Sequence, residues 1–123
     1  MYKIISVHSF RGGTGKSNTT ANVATILASQ GKRVGVIDTD IQSPGIHVLF
    51  GFDEDKMQYS LNDYLWGRCD IRQTAYDLTR SLNTTLSGQI YLIPSSIKAG
   101  EIARVVREGY DVGLLNDGFH DLV

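Results

Sequence analysis

The sequence has few of the features that mark secreted, membrane-spanning or nucleic-acid-coating proteins. Cys69 is the one cysteine in 123 residues, so a single copy can form neither an internal disulfide nor a metal site built from several cysteines. No apolar run approaches membrane-spanning length, and the apolar stretch at the N-terminus is too short for a signal peptide. Twelve basic residues against thirteen acidic ones leave a net charge of −1, which excludes a global basic field. We therefore expect a cytoplasmic protein with no membrane segment in this chain.

The first third of the chain predicts a strand, a helix and a second strand in parallel arrangement. Residues 3–9 form a short apolar run that ends in a glycine cluster, as is typical of a buried strand. Residues 17–30 carry small and apolar side chains at helical spacing, and Gly31 is a natural helix end. Residues 33–38 repeat the buried-strand pattern. The fold class expected is α/β, with a mainly parallel sheet flanked by helices on both faces.

The remainder of the chain predicts shorter elements and one more strand. Ser60 with Asp63 three residues later indicates a helix start, and Asp70 predicts the cap of a further helix through about Leu78. Residues 89–93 predict a third apolar strand, which Pro94 stops. Further helices are expected at residues 46–50, at 97–108 with Ile102, Val105 and Val106 inward, and at 111–123.

A glycine-rich loop lies between the first predicted strand and the first predicted helix, at residues 10–17. Gly12, Gly13 and Gly15 let backbone N–H groups approach a phosphate, and the N-terminus of the helix adds its dipole. Lys16 can reach the β and γ phosphates, and the Ser17 hydroxyl can bind magnesium. The loop therefore predicts a site for ATP with Mg²⁺. The usual pattern begins with glycine, and here that position is Phe10.

The order Arg11-Gly12-Gly13-Thr14-Gly15-Lys16-Ser17 resembles the deviant phosphate loop of the MinD/ParA family. The likeness extends to residues 19–24, 31–34, 36–40 and 91–95, in matching order and spacing. It covers nearly the whole chain and is most specific at residues 4–45. The resemblance implies a P-loop ATPase that forms an ATP-dependent homodimer and positions or partitions cellular cargo.

The resemblance also implies roles for three charged residues. Asp40 matches the residue that orients or activates the hydrolytic water, and Asp38 matches an acidic position that supports the metal shell through water. For each carboxylate the alternative is the capping of a turn. Arg11 stands where the family has a signature lysine that reaches the partner's phosphates, and its alternative is an exposed arginine beside an anion site.

Three residue sets follow from the loop and the resemblance. The catalytic set is Lys16, Asp40 and Arg11. The nucleotide-binding set is Gly12, Gly13, Thr14, Gly15, Lys16, Ser17 and Asn18. The metal set is Ser17, Asp38 and Asp40.

The sequence lacks an apolar strand ending in Asp after Pro94, which this family uses for the outer shell of magnesium. We expect residues 1–123 to be the N-terminal part of a single P-loop ATPase domain, with weak turnover when isolated. Two further functions stay open: a nucleotide-gated interaction module with little turnover, and a small-molecule ligase or kinase. The cargo or activator protein is not identified by the sequence, and DNA as a partner is left open.

Overall fold

The computed structural model of the chain describes residues 3–5, 16–40, 44–80 and 87–122. Of Lys16 and Ser17 it describes the backbone. The helices are α1 (Lys16–Ser29), α2 (Ile46–Leu49), α3 (Leu61–Leu65), α4 (Ala99–Glu108) and α5 (Val112–Asp121), and the strands are β1 (Arg33–Ile37), β2 (Tyr76–Asp77) and β3 (Gln89–Ile93). Two short 3-10 helices lie at Glu54–Lys56 and Ile71–Thr74.

The described strands form one mixed sheet in the order β1-β3-β2. β1 and β3 are parallel, with Val34 opposite Ile90 and Val36 opposite Leu92. The two-residue β2 pairs with β3 in the antiparallel sense. The parallel pair confirms the predicted strands at residues 33–38 and 89–93, and their parallel sense requires a crossover connection between them.

Helix α1 packs against β1, β3 and α2 through a face of small side chains. Ala24 and Ala28 are 4% and 0% exposed and let the helix approach the sheet closely. The helix ends at Gly31, whose φ of 90° is readily adopted by glycine alone. Gly88 lies against this turn, because its backbone N–H donates to the Ala28 carbonyl at 2.8 Å. A Cβ on Gly88 would stand 2.1 Å from the carbonyl oxygen of Lys32, so this junction requires glycine.

Alternate residues of the central strands point to opposite faces of the sheet and build two apolar clusters. Ile90 and Leu92 of β3 face α1 and α2, whereas Ile93 faces α3, α4 and α5. The expectation of helices on both faces is thus confirmed. The first cluster contains Ala24, Ala28, Val36, Ile46, Phe50, Leu78, Ile90 and Leu92, and the second contains Leu61, Tyr64, Leu65, Ile71, Ile93, Val105 and Leu115.

The predicted start of α3 is confirmed in detail. Ser60 and Asp63 form a reciprocal capping box, in which the Ser60 backbone N–H donates to Asp63 Oδ2 at 2.8 Å. The N–H of Leu61 donates to the Pro94 carbonyl at 2.7 Å, which ties the first turn of α3 to the end of β3.

The N-terminal strand expected from residue 3 onward is wrong for the part that the structure describes. Residues 3–5 have no regular secondary structure, and Ile4 and Ile5 are 55% and 64% exposed. Apolar composition alone does not make a strand, because a strand needs a hydrogen-bonded neighbour. None of the described strands pairs with these residues. Residues 6–9 lie outside the described residues.

The helix expected from Asp70 to about Leu78 is also wrong beyond its first turn. Asp70 and Gln73 do form a capping box, but the helix is a 3-10 turn that ends at Thr74. Tyr76 and Asp77 then pair with β3, and the Leu78 N–H donates to the Ile90 carbonyl at 2.9 Å. Strand pairing with a distant segment has overridden the local helical signal.

On α4 the inward position of Val105 is confirmed, at 3% exposed, and Ile102 is half-buried. Val106 was expected inward and is 63% exposed. It lies one position beyond Val105, about 100° around the helix, which turns it away from the sheet.

Candidate functional site

Buried polar residues lie where β1 and β3 end, at what we call the carboxyl edge of the sheet. Asp38 follows β1 directly, and Ser95 and Ser96 follow β3 after Pro94. These three polar residues are 6%, 0% and 5% exposed. Polar groups are costly to bury without partners, so their hydrogen bonds define the geometry of this edge.

The Asp38 carboxylate connects the end of β1 to the start of α2. Its Oδ1 accepts a hydrogen bond from the backbone N–H of Asp40 at 3.1 Å. Its Oδ2 accepts from the N–H of Gly45 at 3.2 Å and from that of Ile46 at 3.4 Å. Asp38 therefore caps the turn between β1 and α2. An ionised carboxylate offers about four acceptor positions, and backbone N–H groups of the described residues occupy three of them.

Burial governs the ionisation of Asp38. Removal from water raises the pKa of this carboxyl above its ordinary value, and the backbone N–H groups of Asp40, Gly45 and Ile46 offset only part of that rise. The neighbouring Asp40 charge adds a smaller rise of the pKa. A positive charge placed beside Asp38 would favour its ionised form.

The backbone of Asp38 is held from the neighbouring strand. Its N–H donates to the Ile93 carbonyl at 3.0 Å, which continues the β1–β3 ladder by one residue. Its carbonyl accepts a hydrogen bond from the Ser95 hydroxyl at 2.6 Å. Ser96 is anchored in turn, because its N–H donates to Asn62 Oδ1 at 2.8 Å. Sequence reasoning did not foresee these contacts, although polar residues after a buried parallel strand signal this edge.

Helix α1 runs so that its N-terminus lies toward the carboxyl edge of the sheet. Its last turn lies where β3 begins, because the Ser87 hydroxyl donates to the Ser29 carbonyl at 2.8 Å. The helix has 14 residues, about 21 Å at the usual rise, against about 16 Å for the five residues of β1. Its opposite end, at Lys16, therefore lies at the level where the strands end. The first turn carries no acidic residue, so the positive end of the helix dipole is not neutralised there.

The structure places five of the predicted site residues. Lys16 and Ser17 are the first two residues of α1, and Asn18 is exposed in its first turn. Asp38 is buried at the carboxyl edge, and Asp40 is exposed two residues further on. The other predicted site residues lie outside the described residues: Arg11, Gly12, Gly13, Thr14 and Gly15.

Cys69 lies in no cluster of metal-binding side chains within the described residues. It is half-buried beside the second apolar cluster, and burial raises the pKa of its thiol, with smaller rises from Asp63 and Asp70. Metals bind the thiolate, which a raised pKa disfavours. Within the described part of the chain, His, Cys, Asp and Glu side chains nowhere gather in threes around a possible ion. The helices of that part also include none with the length and apolarity to cross a membrane.

Comparison with known proteins identifies relatives of the glycine loop and of the fold around it. Residues 1–70 match the profile of the ParA family described as NUBPL iron-transfer P-loop NTPase. The septum site-determining protein MinD of Bacillus subtilis is 36% identical over 96 residues, which are 78% of this chain and 34% of that protein. The iron-sulfur cluster carrier protein of Pseudomonas fragi is 51% identical over 51 residues, which are 42% of this chain and 18% of that protein.

A solved structure has the same fold. Cobyrinic acid a,c-diamide synthase from Mycobacterium smegmatis, determined with a bound ATP analogue and magnesium, superposes with a TM-score of 0.72 at 24% identity. The match covers 94% of this chain and 44% of that one. The chain spans less than half the length of the curated relatives it matches.

Proposed function

Because the chain belongs to the MinD/ParA family of P-loop NTPases, we propose that it is the N-terminal part of a domain that binds ATP with Mg²⁺ and hydrolyses it. The observation that carries the proposal is the direction in which α1 runs along the sheet. The N-terminus of α1, where the glycine sequence ends in Lys16, points toward the edge at which Asp38 and Asp40 follow β1. A helix N-terminus that can bind phosphate and two carboxylates at the same sheet edge are components of metal-assisted phosphoryl transfer.

The residues divide between binding and chemistry. Backbone N–H groups from Gly12 to Gly15 and the positive end of α1 would hold the phosphates, with Lys16 on the β and γ positions. Ser17 would place its hydroxyl on the magnesium ion. Asp38 would contact that ion through a water, at an acceptor position other than the three that backbone N–H groups of the described residues occupy. Magnesium would supply the neutralisation of charge that develops on the phosphoryl oxygens.

Asp40 is proposed to orient the attacking water. It is exposed at the carboxyl edge, and the hydrogen bond from its N–H to Asp38 Oδ1 fixes its backbone. An exposed carboxylate next to a bound γ-phosphate can position a water for in-line attack. The reaction is hydrolysis of the β-γ phosphoanhydride.

The biological role proposed is an ATP-dependent dimer switch that positions or partitions cargo. The likeness to MinD over 78% of the chain supports this role. The shorter match to an iron-sulfur cluster carrier raises iron transfer as a second candidate. Cys69 is the chain's one cysteine, so a cluster held by several cysteines would need others from outside residues 1–123 or from a second copy of the chain.

Nucleotide binding is tested with a pair of lysines at the two ends of α1. In the full-length protein Lys16→Ala is expected to weaken Mg-ATP binding by about 100-fold or more, because it removes the charge on the transferring phosphates. Lys32→Ala removes the same charge beyond the opposite end of the helix and serves as the control. Calorimetric titration with ATP, with and without Mg²⁺, measures both.

Three outcomes are informative. Equal affinity in the two variants would contradict the proposed site. Tight binding by the unmodified protein without phosphate release would favour the nucleotide-gated interaction module over the ATPase. Brisk turnover by the isolated 123-residue chain would contradict the proposal that residues 1–123 are only part of the domain.

A further inference from the structure

The hydroxyl of Ser95 holds the backbone at Asp38, two residues before Asp40. It donates a 2.6 Å hydrogen bond to the carbonyl oxygen of Asp38, 57 residues away in sequence. The Ser95 residue is 0% exposed, so no water competes for this bond. The carbonyl oxygen of Asp38 belongs to the peptide plane that leads into Thr39, and fixing that plane sets the direction in which the chain leaves β1.

A second constraint acts on the same two-residue step. The Asp40 N–H donates to Asp38 Oδ1 at 3.1 Å, and the Asp38 N–H donates to Ile93 at 3.0 Å. Asp38 is thus held at its N–H, its carboxylate and its carbonyl. Of these three contacts, the one at the carbonyl comes from the side chain of Ser95, which lies outside the β1–α2 segment.

Ser95 is itself fixed by the opposite face of the sheet. The neighbouring Ser96 N–H donates to Asn62 Oδ1 at 2.8 Å, and the Pro94 carbonyl accepts from Leu61 N–H at 2.7 Å. Asn62 is 0% exposed and sits in the first turn of α3. The turn that carries Ser95 is therefore anchored on both sides to a capped helix.

We infer that Ser95 is a positioning residue for hydrolysis, which acts by fixing the Asp38 carbonyl and thereby the placement of Asp40. The inference rests on the proposed ATPase function. It assigns Ser95 no contact with nucleotide or metal. Loss of its hydroxyl should leave ATP binding intact and slow the chemical step, because only the geometry of the water-orienting carboxylate relaxes. A misplacement of about 1 Å in a catalytic group can cost about 100-fold in rate.

The test compares Ser95→Ala with Thr74→Val in the full-length protein. Thr74 also buries a hydroxyl, at 0% exposed, which donates to the Ile71 carbonyl at 2.5 Å in the 3-10 turn before β2, on the other side of β3 from β1 and Asp38. Both variants delete one buried hydroxyl-to-carbonyl bond, so both are expected to lower the melting temperature by a similar amount. Ser95→Ala is expected to lower kcat by about tenfold with KM for ATP changed less than about twofold. Thr74→Val is expected to keep both within about twofold of the unmodified protein.

Ser95→Cys supplies a graded variant and a substitute should Ser95→Ala not fold. Cysteine has a similar shape but only a weak S–H donor. The kcat of Ser95→Cys should therefore lie between that of the unmodified protein and that of Ser95→Ala. Equal kcat in Ser95→Ala and Thr74→Val, or a rise in KM without a fall in kcat, would overturn the inference. Absence of phosphate release from the unmodified protein would instead overturn the proposed function.

Discussion

The carboxylate of Asp38 accepts a hydrogen bond from the backbone N–H of Gly45, seven residues further along the chain, at 3.2 Å. The same oxygen accepts from Ile46, so one buried side chain ties the end of a central strand to the first turn of α2. This capping contact and the proposed contact to a metal-bound water use different acceptor positions of one carboxylate. If the proposed contact forms, occupation of the nucleotide site and the position of α2 would be linked through Asp38.

Replacing Asp38 by Asn tests the capping role. One carboxylate oxygen becomes an NH₂ group, which cannot accept from a backbone N–H, and a buried donor is left without a partner. We expect a loss of about 1–3 kcal/mol in the free energy of unfolding, measured by urea denaturation. Asp53→Asn is the control, since Asp53 caps an exposed 3-10 turn through the Asp55 N–H. Equal losses in the two variants would show that the hydrogen bonds of Asp38 contribute no more to the free energy of unfolding than the exposed cap at Asp53.

Glu101 should make stability depend on pH in the acid range. Partial burial opposes its ionisation, but hydrogen bonds from Arg68 at 2.7 Å and from Trp66 Nε1 at 2.8 Å outweigh this and lower the pKa of Glu101. A lowered pKa in the folded state adds stability that is complete above the unfolded pKa, near 4.3, and is lost as pH falls through the folded value.

Glu101→Gln should accordingly cost about 1 kcal/mol at pH 7, and the cost should shrink toward zero as the pH approaches 3. Glu108→Gln is the matched control, because among the described residues Glu108 pairs with Arg104, four residues earlier in α4, and that pair is exposed. Unfolding curves at several pH values measure both. A pH-independent cost for Glu101→Gln would argue against the ionic origin of the effect.

Two helical glycines should respond to alanine in opposite directions. A Cβ on Gly118 in α5 would stand 2.9 Å from the ring of Tyr64, whose hydroxyl is held by the Leu114 carbonyl at 2.7 Å. Gly100 in α4 has open space where its Cβ would lie, among the described residues. We expect Gly100→Ala to stabilise by about 0.5–1 kcal/mol and Gly118→Ala to destabilise by about 1–3 kcal/mol. Thermal unfolding of the two variants in parallel measures both changes in stability. Stabilisation by Gly118→Ala would contradict the packing of Gly118 against Tyr64.

Arg11 is expected to act in dimerisation and not in nucleotide affinity. If it contacts the partner's phosphates, Arg11→Ala should abolish an ATP-dependent increase in mass while leaving the affinity for ATP within about threefold. Arg11→Lys keeps the charge and should retain the dimer. Light scattering with and without ATP measures the mass. Persistence of the ATP-dependent dimer in Arg11→Ala would favour the alternative of an exposed arginine beside the anion site.

Local signals in the sequence were sufficient for several elements. The spacing of small residues predicted α1, and Gly31 marked its end. Ser60 and Asp63 predicted the start of α3, because a capping box is a contact between residues three apart. Likewise the apolar runs at residues 33–38 and 89–93 identified the two parallel strands.

Contacts between distant segments were not predictable in this way. Tyr76 became part of β2 through pairing with β3, although the capping box at Asp70 indicated a helix. The Ser95 hydroxyl meets the Asp38 carbonyl only because the ends of two parallel strands come together. Asp38 and Asp40 were predicted as site residues from the loop and the family resemblance, whereas the contacts that hold them arise from tertiary structure.

The central claim is that the chain contributes the catalytic carboxylate of an ATPase, and Asp40→Ala tests it most directly. Phosphate release and ATP affinity are measured together on the full-length protein, and Asp53→Ala, which changes an exposed aspartate beside β2, is the control. We predict that Asp40→Ala lowers phosphate release by about 100-fold or more and leaves ATP affinity within about threefold. Undiminished phosphate release by Asp40→Ala would contradict the assignment.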